Sequence, residues 1–370
     1  MIAAPFTFLL RLLLWGTVAL ALVLAAAAIW LAEQILAAPL EPLAIETPLT
    51  LQVEAGTSAH SLLARLESEG RLDRAWRMRL WLRWRGQGGH IEQGEYLLLP
   101  GSTPLALFED LRTGRVVRHA LTLIEGWRFS QVRAAIAAHP VLVDDTAGLD
   151  EAALMAAVGL AELSPEGRFF PATYDFKRGE GALSVLRRAA ARLKAELEQA
   201  WSARDRSVDA VLPEPDAALI LASLIEKETA APAERPLIAG VFLRRLALGM
   251  RLQTDPSVIF GLGEAFDGDL KRSHLQTDGP YNTYTRAGLP PTPIALVGRA
   301  ALEAALRPAA GEALYFVSRG DGTHVFSESY DKHLEFVRRY QAPGRRQPRR
   351  QTTQVGRCMG QGPRSARRGN

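Results

Sequence analysis

From Leu12 to Ala32 the chain runs 21 residues without a charge, dominated by Leu, Ala and Val. No other feature restricts the fate of the chain so strongly. At 1.5 Å per residue, a helix of this length reaches roughly 30 Å, the hydrocarbon thickness of a bilayer. Trp15 and Trp30 stand near its two ends, where indole rings favour the headgroup boundary. Small residues at 25–28 would also suit a cleaved export signal. The apolar stretch is longer than the roughly 7–15 residues of a signal core, so an uncleaved anchor at 12–32 is expected. Arg11 precedes the stretch. By the positive-inside rule it places residues 1–11 in the cytoplasm and everything after residue 33 outside it.

The remainder is a folded body. Over 370 residues, 48% are hydrophobic and 23% charged, enough for one large domain or roughly two. The single cysteine, Cys358, excludes an intrachain disulfide and any cysteine-built zinc or iron–sulfur site. Seven scattered histidines contain no HExxH pattern and no close pair, so a His-built metal site is not expected. The net charge of +4 comes from the tail. The last 30 residues hold 8 Arg and no acidic group, which leaves 36 basic against 40 acidic groups in residues 1–340, a net of −4. A mildly acidic body argues against a nucleic-acid partner. Residues 341–370, rich in Gly, Pro, Gln and Arg, are expected to be disordered.

The expected fold class is α+β. Residues 33–48, with Pro39, Pro42 and Pro48, read as a short stiff linker. Three similar strand–turn–helix units follow, Leu49–Gly70, Tyr96–Gly114 and Ala120–His139, forming a strand–helix module over 49–140. Between the first two, Trp76, Leu80 and Trp84 recur every fourth position among arginines. The spacing predicts a helix with that stripe on the core, Asp73 as N-cap and Gly86 as stop. A second, mainly helical domain takes up 141–340, its helices beginning near Pro165. It ends in a hairpin, Leu314–Ser318 with His324–Phe326 around Gly320-Asp321-Gly322, and a last helix to Tyr340.

Chemistry concentrates between Asp216 and Gly263. Asp216 can cap a helix over Ala217–Thr229 on which Leu219, Ala222, Ser223 and Glu226 share one face. A carboxyl that extends an apolar stripe is costly to ionise, the property wanted in a group that protonates a leaving oxygen. Glu226 could equally pair with an arginine of the next helix, Arg244 or Arg245, and simply hold the fold. The residues alone leave both readings open. The next helix should run from about Ala233 to Leu248, with Gly249 as stop. Two polar stretches could then line a groove. Gln253, Thr254 and Asp255 lie in the first, and Tyr281, Asn282 and Tyr284 in the second. All six are candidate substrate-binding residues, since Tyr and Asn suit sugars, although turn formation explains both stretches as well. Ser223 and Lys227, at i and i+4, lack any supporting acylase signature.

Leu221-Ala-Ser-Leu-Ile-Glu-Lys-Glu-Thr229, Val241-Phe-Leu-Arg-Arg-Leu246 and Gly249-Met-Arg-Leu-Gln-Thr-Asp-Pro-Ser-Val-Ile-Phe-Gly261 closely resemble the endolytic murein transglycosylases, the YceG-like family. So do Glu166-Gly-Arg-Phe-Phe-Pro-Ala-Thr-Tyr174, Tyr281-Asn-Thr-Tyr284, Gly288-Leu-Pro-Pro291, Leu314-Tyr-Phe-Val317 and Gly322-Thr-His-Val-Phe326. The resemblance implies a single-pass inner-membrane protein with a LysM-like module at 49–140 and a catalytic domain at 141–340 facing the cell wall. It implies internal cleavage of the MurNAc–GlcNAc bond in nascent peptidoglycan strands, leaving 1,6-anhydro-MurNAc ends and terminating glycan elongation. No cofactor is involved, and peptidoglycan synthases become candidate partners. The family's catalytic glutamate falls on Glu226. One carboxyl suffices for this route, whereas glycoside hydrolases generally use two. Ala172 stands where the family usually has Asp, so any role of that Asp is absent, and the Arg-rich tail has no family counterpart. Two alternatives remain: a glycoside hydrolase using Glu226 with Asp255, and a membrane-anchored peptidoglycan binder without activity.

Overall fold

The computed structural model describes residues 4–341 except 87, 88 and 90. The expectations for the first residues of the cytoplasmic stub and for the tail beyond Gln341 lie outside the described residues. The chain divides into two compact units, Met1–Pro165 with Pro171–Arg192, and Glu166–Phe170 with Leu193–Asn370.

The first unit opens with α1 (Ala4–Ala37), within which Leu12–Ala37 is long and apolar enough to cross a membrane. It outruns the expected 12–32 because Glu33 and Gln34 are good helix formers and the next proline is Pro39. Residues 38–48 are not a free linker. Leu43 and Ile45 are buried in the core of the unit, and Ile35 packs against the same core. The Leu43 N–H donates to Ser102 O at 2.8 Å and the Ala44 N–H to Arg71 O at 2.9 Å.

That core lies under β1 (Leu49–Val53), α2 (Ala59–Ser68), α3 (Ala75–Arg85), β2 (Gly94–Leu98) and α4 (Pro104–Thr113). β1 and β2 pair antiparallel, with Leu51 opposite Tyr96. Alternation sends Leu51 and Val53 inward onto Leu62, Leu63 and Leu66 of α2. In α3 the expected face is reversed. Ala75, Arg77, Met78, Trp81 and Leu82 are the buried residues, and Arg74, in a left-handed conformation, takes the N-cap position instead of Asp73. Arg77 accounts for part of this, because its buried guanidinium pairs with Glu41. Gly86 ends the helix at φ 65°, as its position suggests.

The third strand–turn–helix unit, β3 (His119–Thr122) and α5 (Phe129–Ala137), does not join the β1–β2 sheet. After α6 (Glu151–Val158), β3 pairs antiparallel with β4 (Thr173–Phe176), Leu121 facing Tyr174. That pairing draws residues 171–192 back into the first unit. Buried Glu95 of β2 pairs with His119 and with Arg178, tying the two sheets together. α7 (Ala182–Ser202) carries the chain into the second unit.

The second unit is helical: α8 (Pro215–Glu228), α9 (Arg235–Ala247), α10 (Asp255–Leu262), α11 (Arg272–Gln276) and α12 (Arg299–Leu306). α8 is buried from Ala218 to Ile225 without interruption, as befits a helix with neighbours on all sides. α9 and α12 pack against it. A strand pair closes the unit, β5 (Tyr315–Ser318) with β6 (His324–Ser327), followed by α13 (Tyr330–Tyr340).

Candidate active site

Asp216 does not cap α8. Glu214 holds that position without a side-chain bond, and Asp216, in the first turn, pairs with buried Arg168. Leu219, Ala222 and Ser223 are all buried. The Ser223 hydroxyl donates to Ile220 O at 2.7 Å and accepts from the Ile294 N–H at 3.0 Å. It is therefore committed to packing, and exposed Lys227 is no partner to it.

Glu226 stands in the last turn of α8, its side chain only 5% exposed. Oε1 accepts from Arg235 Nη2 at 3.1 Å, and Oε2 accepts from the Gly298 N–H at 3.1 Å. Gly298 is the N-cap of α12, so the carboxylate sits at the positive end of a helix dipole. Pairing with an arginine of the next helix does occur, but through Arg235, the first residue of α9. Arg244 and Arg245 lie further along the same helix and bond carbonyls instead. Arg244 reaches Ala313 O at 2.8 Å, and Arg245 reaches Leu314 O at 2.7 Å and Leu252 O at 2.8 Å.

The α8–α9 turn that delivers Arg235 is itself pinned. The Thr229 hydroxyl accepts from the Ala231 N–H at 3.1 Å and donates to Glu234 Oε2 at 3.1 Å. Glu234 also accepts from the His324 N–H at 2.7 Å and meets His324 Nδ1 at 2.8 Å. Burial pushes the Glu234 carboxyl up, but the His324 side chain and N–H more than offset this and hold it below the usual glutamate range.

The two polar stretches meet one another. The Gln253 N–H donates to Thr283 O at 3.1 Å and the Thr254 N–H to Thr283 Oγ1 at 3.0 Å. The Thr254 hydroxyl donates to Glu228 Oε2 at 2.8 Å, which joins this pair of segments to the end of α8. Tyr284 Oη donates to Asp255 Oδ1 at 2.6 Å. Burial foremost, and then the Asp255 carboxylate, keep this phenol protonated far above its ordinary range. Thr254 and Asn282 are buried, and the Asn282 amide donates to the carbonyls of His274, Leu275 and Thr277. Both spend their polar groups inside the protein. Gln253 and Asp255 are exposed, and Tyr281 and Tyr284 are half-buried. Asp255 opens α10, so the irregular stretch expected through Pro256 gives way to helix at Asp255.

Among the described residues no cluster of three or more His, Cys, Asp or Glu is placed to hold a metal ion. The buried Glu226 carboxyl is a group that can give or take a proton. Arg235, Gly298 and the Glu234–His324 anchor were missed from the sequence. Arg235 lies nine positions from Glu226 and Gly298 seventy-two, so only the fold makes them neighbours.

A model of the YceG-like family matches residues 51–339, well over half of the chain. The chain belongs to the YceG-like family. This YceG-like chain is 28% identical over 320 residues to an endolytic murein transglycosylase of Bacillus subtilis, covering 80% of this chain and 85% of that protein. It is 29% identical over 210 residues to an endolytic murein transglycosylase of Streptococcus pneumoniae, covering 55% of this chain and 35% of that longer protein. A crystal structure of a YceG-like protein from Listeria monocytogenes superposes with a TM-score of 0.50 at 27% identity, over 79% of this chain and 99% of the other. The matched region covers part of each unit and includes every residue named at the Glu226 site.

Proposed function

We propose that the protein is an endolytic lytic transglycosylase that cuts peptidoglycan strands, with Glu226 as its acid and base. The observation that carries this reading is the Glu226 carboxyl itself, buried at the end of a core helix and bonded by the Arg235 guanidinium and the Gly298 N–H. The names of the relatives supply the reaction class. In the first step protonated Glu226 gives its proton to the glycosidic oxygen as the bond from C1 of MurNAc breaks. The carboxylate so formed is stabilised by Arg235 and the Gly298 N–H. In the second step it takes the proton of the muramyl 6-hydroxyl as that oxygen bonds C1, closing the 1,6-anhydro ring. No water is consumed, and Glu226 ends as it began.

The same proposal makes α1 a retained anchor, with residues 1–11 cytoplasmic and the remainder outside the inner membrane. It keeps the LysM-like reading for the strand–helix module at 49–140, and it includes Gln253, Asp255, Tyr281 and Tyr284 as groups that meet the glycan. Glycan strands are the substrate, and the synthases that make them are the natural neighbours. Mass spectrometry of strands digested by the full chain tests the reaction. Internal cuts ending in anhydro-MurNAc support it. Products heavier by one water would replace it with hydrolysis.

A further inference from the structure

α3 presents to solvent a stripe that a soluble domain has no reason to expose. Trp76, Leu80 and Trp84 recur every fourth residue and are 37%, 43% and 68% exposed. The helix and its cap carry Arg74, Arg77, Arg79, Arg83 and Arg85 and no acidic residue. Arg85 lies over the rings of Trp81 and Trp84, 5.5 and 5.8 Å from their centres. Flat aromatic rings among arginines, with an aliphatic residue between them, make a surface with the chemistry of the headgroup boundary.

Its location is set by α1. The apolar span Leu12–Ala37 is 26 residues long, whereas roughly 20 cross the hydrocarbon. The last turns of α1, with Glu33 and Gln34, therefore emerge at headgroup level. α3 is fastened there, since Arg77 Nη1 donates to Gln34 Oε1 at 3.2 Å and the same guanidinium pairs with Glu41. Leu36 and Leu40, also exposed, continue the apolar surface beside the exit.

We propose that the Trp76–Leu80–Trp84 face of α3 docks on the bilayer beside the anchor, its rings at the headgroup boundary and the exposed Arg83 and Arg85 on anionic lipid phosphates. The occupant is a membrane with anionic headgroups. Arg74, Arg77 and Arg79 are paired with Asp73, Glu41 and Glu67, so charge complementarity rests on exposed Arg83 and Arg85, and together with continuity with the span it selects this occupant. The inference rests on the reading of α1 as a retained anchor. Docking here would fix the first unit against the membrane surface at a second point, so that it could not swing freely about the end of α1.

The full chain carrying Cys358→Ser, reconstituted in vesicles of phosphatidylcholine with phosphatidylglycerol, tests it. An environment-sensitive fluorophore is attached at Trp84→Cys or Leu80→Cys, and at exposed His60→Cys of α2 as the control. The α3 probes should emit to the blue of the His60 probe and be quenched by lipids brominated high on the acyl chain, about 5–10 Å below the surface. Aqueous iodide should quench only the His60 probe. Adding Arg83→Glu and Arg85→Glu should weaken lipid quenching of the α3 probes. α3 probes as open to iodide as the control, in chain that alkaline carbonate does not release, would overturn the docking and leave the anchor standing. Release by carbonate would overturn the anchor and the docking together. A blue shift without lipid quenching, lost on diluting the protein among vesicles, would assign the stripe to a second copy of the chain and overturn the lipid.

Discussion

Arg235 Nη2 lies 3.1 Å from Glu226 Oε1, and the two side chains are only 12% and 5% exposed. A carboxyl so buried keeps its polar partners within the protein and gains nothing from bulk water. A glycan that enters must therefore compete with, or exploit, a guanidinium already in place. Four expectations follow from this geometry and from the segments that hold it.

Glu226→Gln keeps the shape and removes both proton steps. Its side-chain oxygen can still accept from the Gly298 N–H and from Arg235, but the buried guanidinium loses its counter-charge, so the melting temperature should fall while the chain still folds. Cleavage should drop by at least about 10²-fold. Asp255→Asn, at an exposed position hydrogen-bonded to Tyr284, should be hurt less and still yield anhydro ends. Equal losses in both variants would favour hydrolysis by two carboxyls, and a stable Glu226→Gln enzyme of near wild-type rate would sink the assignment.

Arg235→Met strands a buried carboxyl without its cation. Breaking one partner of a buried pair costs about 3–5 kcal/mol, visible as a lower denaturant midpoint. In the fraction that remains folded, kcat should fall by about 10²-fold with KM little altered, because the group that fixes Glu226 is lost and the glycan contacts are not. Arg235→Lys should recover part of both. A large rise in KM at constant kcat would place Arg235 on the substrate instead.

Glu234 gives a pH signature. Its folded carboxyl lies below the unfolded value of 4.5 because of its bonds from His324. The stabilisation is therefore fully present above that value and is lost as pH falls through the lower, folded one. Melting curves of the wild type and Glu234→Gln should differ most above about pH 5 and converge as the medium is acidified. A difference that instead widens toward acid would contradict the pairing.

Gly167 combines a positive φ of 72° with a wall. A Cβ built there would meet Pro293 Cβ at 2.4 Å and Ala295 O at 3.0 Å. Gly167→Ala should cost about 1–2 kcal/mol for the left-handed backbone alone. The collision adds to this, and the segment from Ile294 to Val297 that leads to Gly298 should be disturbed. Reduced stability together with reduced activity is expected, and an unaltered melting curve would refute it.

The span, the α8–α9 pair and the terminal hairpin were legible because each announces itself locally, by hydropathy, by an apolar run with Gly249 beyond it, and by Gly320-Asp321-Gly322. α10 was hidden because Met250–Pro256 reads as polar and irregular, although Pro256 directly after Asp255 is a helix-start signal. The stripe of α3 was placed on the wrong side because spacing identifies a face but not its direction. Arg77, committed to Glu41 thirty-six positions away, and Met78 and Trp81 in the core settle the direction. Glu226 was singled out by its neighbours on one face. Its partners could not be, since a carboxyl's nearest cation in sequence need not be its nearest in space.

The pairing of β3 with β4 has a consequence in time. The two strands are separated by about 50 residues, which at roughly 5–20 residues per second means a wait of several seconds during synthesis. For that interval β3 presents an open edge, the kind of surface on which strands mispair. Glu166–Phe170, which the second unit claims, passes by before β4 arrives. The first unit is thus completed late, and a chain arrested between residues 122 and 173 would hold β1 and β2 paired and β3 bare.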